Sequence, residues 1–291
     1  MPLPTARMAR AAGVRRSFIP LRPIALPTML ATDLYQAAYA DIVARWDAAL
    51  SSILNSYELT LAQMTTDAPE DTGAIISQVE ADLAGVFLTI RPALATWAAK
   101  VELAHRRKWA ESLLAGAKVD IAMMIGPQDV RQTVAAVIEE NVGLVRSVSD
   151  EARRRIGGSV FRGYQNRTSP ADVAREIREA VAMERRRAIR IAGDQVSKLG
   201  AQLNQERRRQ AGIPLFRWRH SSKRNPREDH LARDGNLYSE RTDWAGREFE
   251  GETVRTPPPA DDRAGVPPYC GCTEQAVLAL DWMIEDELEA V

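Results

Sequence analysis

The chain has 291 residues, with 39 basic and 39 acidic side chains and an ordinary apolar share, enough for one or two domains around a sizeable core. A formal charge of zero excludes nucleic-acid binding driven by net charge alone. No unbroken apolar run reaches the roughly 18 residues of a spanning helix, and two cysteines in so long a chain point to a reducing compartment.

Residues 1–29 read as an extended basic arm. Arg7, Arg10, Arg15, Arg16 and Arg22 are accompanied by no acidic residue, and Pro2, Pro4, Pro20, Pro23 and Pro27 preclude a continuous helix. The prolines also argue against the amphipathic helix of a transit peptide. The expectation is an arm that orders on a partner.

From Thr32 the apolar residues recur every three to four positions, at Leu34, Ala38, Ile42, Trp46, Leu50 and Ile53, which is one face of a helix. A polar break follows from Asn55 to Asp71, with a turn near Pro69. The run from Thr72 to Gly116 is predicted helical, kinked or divided at Pro92. His105 stands beside Arg106, Arg107 and Lys108, on what reads as a solvated face. Gly126-Pro127 marks a new helix start, Ser149 a cap for a helix to Tyr164, and Ser169-Pro170 another start. Residues 30–212 thus form a helical domain. The arginines between Arg146 and Arg209 alternate with acids at helical pairing distance, so a self-paired face competes with phosphate contact.

Residues 213–291 read as a small α+β module with short strands and an acidic C-terminal helix from Val277 to Glu289. The fold class is therefore mainly α: a long-helix domain, then this module. Asp234-Gly235 reads as a turn between strands, and the proline-rich stretch 255–268 as a loop. Scarce residues concentrate here. Two of three histidines, His220 and His230, and both cysteines, Cys270 and Cys272, lie between Trp218 and Cys272. Imidazole and thiolate suit Zn²⁺, and a closed structural site takes four such donors. Gly271 lets the backbone bend so that both sulfurs face one ion. A metal-free hydrogen-bonded cluster and a redox pair are the other readings of the same residues.

This module resembles the phage head-morphogenesis domain, the family of the minor head protein of phage Mu. The resemblance rests on Trp218, the basic turn Lys223-Arg224, Pro226-Arg227-Glu228-Asp229-His230, Asp234-Gly235, and Pro267-Pro268-Tyr269-Cys270-Gly271-Cys272. Upstream it includes Arg187-Ala188-Ile189-Arg190-Ile191-Ala192 with Asp194-Gln195. Tyr269 and Gly271 stand where the family usually has asparagine and arginine. The resemblance implies a non-enzymatic minor capsid protein of the virion head, assembled in the host cytoplasm. Its partners would be the portal or major capsid protein, with contact to packaged DNA and none to membrane. A metal-dependent nuclease or hydrolase using His220, Asp229, His230 and Asp234 is the alternative.

Overall fold

The computed structural model describes residues 2–63 and 70–289, with the side chains of residues 70, 71 and 286–289 left aside. The fold is 67% helical, with long helices preceding a small C-terminal sheet of short antiparallel strands. The expected turn at Pro69, and Asp286, Glu287 and Glu289 of the acidic end, lie outside the described residues and side chains.

The helices are α1 (Thr5–Ala11), α2 (Met29–Leu34), α3 (Ala40–Gln63), α4 (Glu70–Ala117), α5 (Arg131–Asn166), α6 (Pro170–Gln210), α7 (Glu228–Ala232) and α8 (Leu280–Glu289). A π-helical stretch, Tyr35–Tyr39, joins α2 to α3. The strands are β1 (Phe18–Pro20), β2 (Leu215–Arg219), β3 (Leu237–Ser239), β4 (Glu248–Phe249), β5 (Glu252–Thr253) and β6 (Thr273–Ala279). Two expected helix boundaries are absent, since Pro92 is inside α4 and Ser149 is inside α5, while α6 starts at Pro170 as expected. Ser149 does not cap anything: it is buried, and its hydroxyl accepts from Trp46 Nε1 at 3.3 Å.

The chain forms two compact units. One comprises Thr28–Ala98 and Ala135–Gly193. It is purely helical, and the α3 periodicity does what the sequence predicts, since Ile42, Trp46, Leu50 and Ile53 are buried. Leu83, Ile90, Leu94 and Trp97 of α4 and Val145, Val148 and Ile156 of α5 are buried in the same unit. Several of its arginines pair with acids one turn away: Arg154 with Glu151, Arg175 with Asp172 and Arg187 with Glu184. Thr72–Ala117 of α4 carries a window of mean hydropathy 1.4 that is 17% buried, and by length and composition this helix is long and apolar enough to cross a membrane. A search for unbroken apolar runs passes over this helix, because a single charged residue is enough to end such a run.

The second unit comprises Met1–Pro27, Ala99–Val134 and Asp194–Val291. Its sheet has the order β1-β6-β2-β3, with antiparallel neighbours throughout. Phe216 pairs with Ala276 and Tyr238, and Trp218 with Glu274. Because side chains alternate along a strand, Phe216 and Trp218 share a face, and they cluster with Tyr238, Ala264, Cys270 and Cys272. Leu215, Leu237 and Val277 join the larger core made with Trp109, Leu113 and Trp244. Val277 and its neighbours, expected to open the last helix, complete strand β6, which is buried from Glu274 to Ala279.

The module therefore does not begin at residue 213, and residues 1–29 are not a free arm. Strand β1 extends the sheet through Ile19, opposite Leu278, and Leu21 is buried. Helix α1 buries Ala6 and Ala9, and Arg10 ion-pairs with Asp281. Five prolines forbid one long helix but not a short helix followed by an edge strand, where a missing N–H is tolerated. Of the remaining arginines proposed for partner contact, Arg7, Arg15, Arg16 and Arg22 are exposed.

His105 overturns the expectation of a solvated side chain. It is 1% exposed, and its Nε2 bonds Asn204 Oδ1 at 3.0 Å. Burial lowers its pKa to about 4, so the ring is neutral at physiological pH. Flanking Arg106, Arg107 and Lys108 are no guide to the exposure of His105 itself, because adjacent helical residues point in different directions.

Candidate metal centre

Three side chains of the C-terminal segment converge: His230, Cys270 and Cys272 are all buried, and their candidate ligand atoms lie within 4.8 Å of one another. His230 Nδ1 is 3.4 Å from Cys270 Sγ and 3.7 Å from Cys272 Sγ. Zinc bonds of ~2.3 Å to sulfur and ~2.0 Å to nitrogen at tetrahedral angles give nitrogen–sulfur edges of about 3.5 Å. The observed spacings bracket that edge, so the group can hold a metal ion.

Each donor is placed by a different element. His230 is carried by α7, a one-turn helix whose first turn has Glu228 and Asp229, the charge sign that suits a helix N-terminus. The cysteines lie just before β6, in a turn closed by Cys270 N–H donating to Pro267 O at 2.9 Å. Gly265 reaches this turn because it has no side chain: at φ +81° an added Cβ would stand 2.5 Å from Ala201 Cβ. Its N–H then donates to Cys270 Sγ at 3.4 Å. The Trp218 indole N–H is buried without an oxygen or nitrogen acceptor, and together with Ser221 N–H it favours the thiolate of Cys272.

Contact with Cys272 holds the Cys270 thiol down to about 5, against the effect of burial. The same contact, reinforced by burial, pushes Cys272 well up. A cation bound here would displace the thiol protons.

Three charged side chains grip the backbone of this turn. Tyr269 N–H donates to Asp194 Oδ1 at 2.6 Å, Lys223 Nζ donates to Tyr269 O at 2.6 Å, and Arg227 Nη2 donates to Pro268 O at 3.0 Å. The basic turn and the arginine of the Pro-Arg-x-x-His motif thus act on the cysteine turn itself. Gly271 leaves room for this approach: a Cβ there would lie 2.7 Å from Lys223 Cε, near the end of a flexible side chain, and 3.0 Å from Ser221 Cβ. Tyr269 adopts φ +59°, a left-handed conformation that disfavours residues other than Gly and Asn. Tyr269→Asn should therefore stabilise the chain by about 0.5–1 kcal/mol. Thermal unfolding checks this; an unchanged or lower midpoint would contradict the strain argument.

Beyond the three ligands, His230 Nε2 lies 2.9 Å from Asp262 Oδ1, and Asp262 Oδ2 accepts from Arg233 Nη2 at 2.6 Å. Burial pushes the Asp262 carboxyl up, but the bonds from His230 and Arg233 outweigh it and hold it below the usual range. The Trp218 ring meets His230 edge-on at 5.1 Å, and the Arg233 guanidinium lies 5.3 Å from the Trp218 ring centre.

The other residues singled out from sequence take different roles. His220, expected as the fourth ligand, is outside the group. Its N–H donates to Asp234 Oδ1 at 2.8 Å, and its Nδ1 accepts from Ser222 N–H at 3.1 Å. Asp229 is exposed on α7, and Pro226 is exposed just before it. Asp234-Gly235 does not join two strands directly. It follows α7, and Gly235 at φ +79° donates its N–H to Trp218 O at 3.0 Å, leading the chain into β3. Asp262 and Arg233 were not foreseen. Arg233 follows His230 by three residues, the one local sign that they share a helix face.

No family model matches the chain, and no solved structure matches it. A Haemophilus influenzae protein, described as uncharacterized, is 28% identical over 134 residues, which is 44% of this chain and 30% of that relative. The chain thus spans less than a third of that relative's length.

Proposed function

We propose that this chain is a structural, non-enzymatic component of a tailed-phage head, of the head-morphogenesis type, whose small module is clipped by Zn²⁺. One observation carries the reading. Six of the residues that bear the resemblance are separated by up to tens of positions, yet they meet at one place: His230, Cys270 and Cys272 as donors, Trp218 against His230, and Lys223 and Arg227 on the cysteine turn. Zinc is the ion that an imidazole and two thiolates at this spacing suit. Portal or major capsid protein is the expected partner, and Arg7, Arg15, Arg16 and Arg22 remain on the surface for such contacts.

Two measurements test this. Dialysed protein should retain about one zinc per chain, and Cys270→Ser/Cys272→Ser should lose it, with a lower thermal midpoint. Mass spectrometry of purified heads from the phage encoding the chain should find it in few copies beside the portal. Metal-free wild type as stable as the double variant defeats the clip; heads lacking the chain defeat the virion assignment.

One observation favours a second reading. Three protein donors are the number a hydrolytic zinc uses, with the fourth position left for water. Under that reading a plasmid is cut in the presence of Zn²⁺, Mg²⁺ or Mn²⁺, and cutting is lost in His230→Ala. The clip is preferred because Asp229 and Asp234, the carboxylates such chemistry would recruit, are not part of the group.

A further inference from the structure

We infer that Asp262, held by Arg233, is the positioning residue of the metal centre, accepting from His230 Nε2 and so turning Nδ1 toward the two sulfurs. The consequence for metal affinity rests on the clip reading; the orientation of the ring does not.

The chemistry follows from what each group can donate. An ionised carboxylate only accepts hydrogen bonds. Asp262 Oδ1 is 2.9 Å from His230 Nε2, so that nitrogen carries the ring proton. Nδ1 is then the nitrogen left to offer a lone pair to a cation. Both sulfurs are on that side, at 3.4 and 3.7 Å.

Asp262 is itself fixed from two directions. Arg233 Nη2 donates to Oδ2 at 2.6 Å and Nη1 to the Asp262 carbonyl at 3.2 Å. The backbone is set by a 3₁₀ turn, Ala260–Asp262, closed by Asp262 N–H donating to Pro259 O at 2.9 Å. The guanidinium in turn lies over Trp218, whose ring edge meets His230. His230, Asp262, Arg233 and Trp218 thus form a closed ring of contacts, and no member rotates without breaking two of them. Carboxylates behind a ligating histidine orient the ring and raise its basicity, and losing one typically weakens metal binding by about 10–100-fold.

The test uses the full chain with ¹⁵N-labelled histidine. Long-range proton–nitrogen NMR of wild type should show His230 protonated at Nε2, assigned by comparison with His220→Asn and His230→Asn. In Asp262→Asn the neutral amide cannot accept from both His230 and Arg233 as the carboxylate does. The Nε2–H population should fall, and zinc affinity, read by competition with a chromophoric chelator, should drop about 10–100-fold. Arg233→Lys, which keeps the charge, should lose less. Unchanged affinity and an unchanged tautomer in Asp262→Asn overturn the inference. An Nδ1–H tautomer in wild type overturns it even if both variants fail to fold. Wild type that binds no zinc but shows the Nε2–H tautomer removes the clip and leaves the positioning intact.

Discussion

Deleting residues 2–27 should unfold the unit that carries the candidate metal centre. Strand β1 pairs with β6, and β6 runs directly on from the cysteine turn. Beyond the strand, Leu21 N–H donates to Ala276 O at 2.9 Å and Gln275 Nε2 to Leu21 O at 2.6 Å. At the other end Leu3 N–H donates to Gln210 O at 2.7 Å. The packing is close: the space a Cβ on Gly116 would take is 2.8 Å from Leu21 Cδ2. Burial of Ile19 and Leu21 alone stabilises by about 1.5–3 kcal/mol each, against about 5–15 kcal/mol for a typical domain. With Ala6 and Ala9 also buried, the loss is a large part of that total. Circular dichroism on heating and limited proteolysis read the outcome. A truncated chain with an unchanged midpoint and unchanged protection of residues 213–285 would mean that the segment is a tether after all.

Arg208→Met should cost about 3–5 kcal/mol, the range for removing one partner of a buried ion pair. The Arg208 side chain is 2% exposed, and Nη2 donates to Glu274 Oε2 at 2.6 Å and Glu240 Oε1 at 3.0 Å. Its guanidinium lies 4.4 Å from the Phe216 ring centre. Arg263 shares both carboxylates, at 2.7 Å to Glu240 and 3.3 Å to Glu274. Without Arg208, two acids surround one cation, and Glu274 is only 2% exposed. Urea unfolding measures the loss. Arg208→Met/Glu274→Met should recover part of it, because no buried carboxylate is then left short of a partner. If the double variant is less stable than the single, the ion pair is not what Arg208 contributes.

The same network gives a pH dependence. Burial raises the Glu240 carboxyl, but Arg263 and Arg208 together outweigh it, so its pKa lies below the ordinary 4.5. A depressed carboxyl contributes stability above its unfolded value that is lost as pH falls through the folded one. Wild type should therefore lose stability below about pH 4.5 more steeply than Arg208→Met, which has already lost one of the two cations.

Part of the centre was legible because its residue types are scarce. A chain with three histidines and two cysteines, four of the five gathered between Trp218 and Cys272, advertises a shared place before any fold is known. Scarcity did not say which histidine belongs there. His220 and His230 look equivalent in sequence, and the choice was made by α7, which turns His230 inward, while Asp234 and Ser222 engage His220. Asp262 gave no local signal, being one of two adjacent aspartates in a proline-rich loop, 32 residues from the ring it holds.

The sequence by itself determined the mainly helical class, the burial face of α3, and the donor types of the candidate metal centre, because periodicity and side-chain chemistry act over a few neighbouring residues. The tertiary structure alone decided that the N-terminal segment is an edge strand, that His105 is buried, and that Asp262 and Arg233 stand behind His230. Each of those depends on contacts between segments tens to hundreds of residues apart, and such contacts are fixed by which surfaces can be buried together rather than by any local pattern.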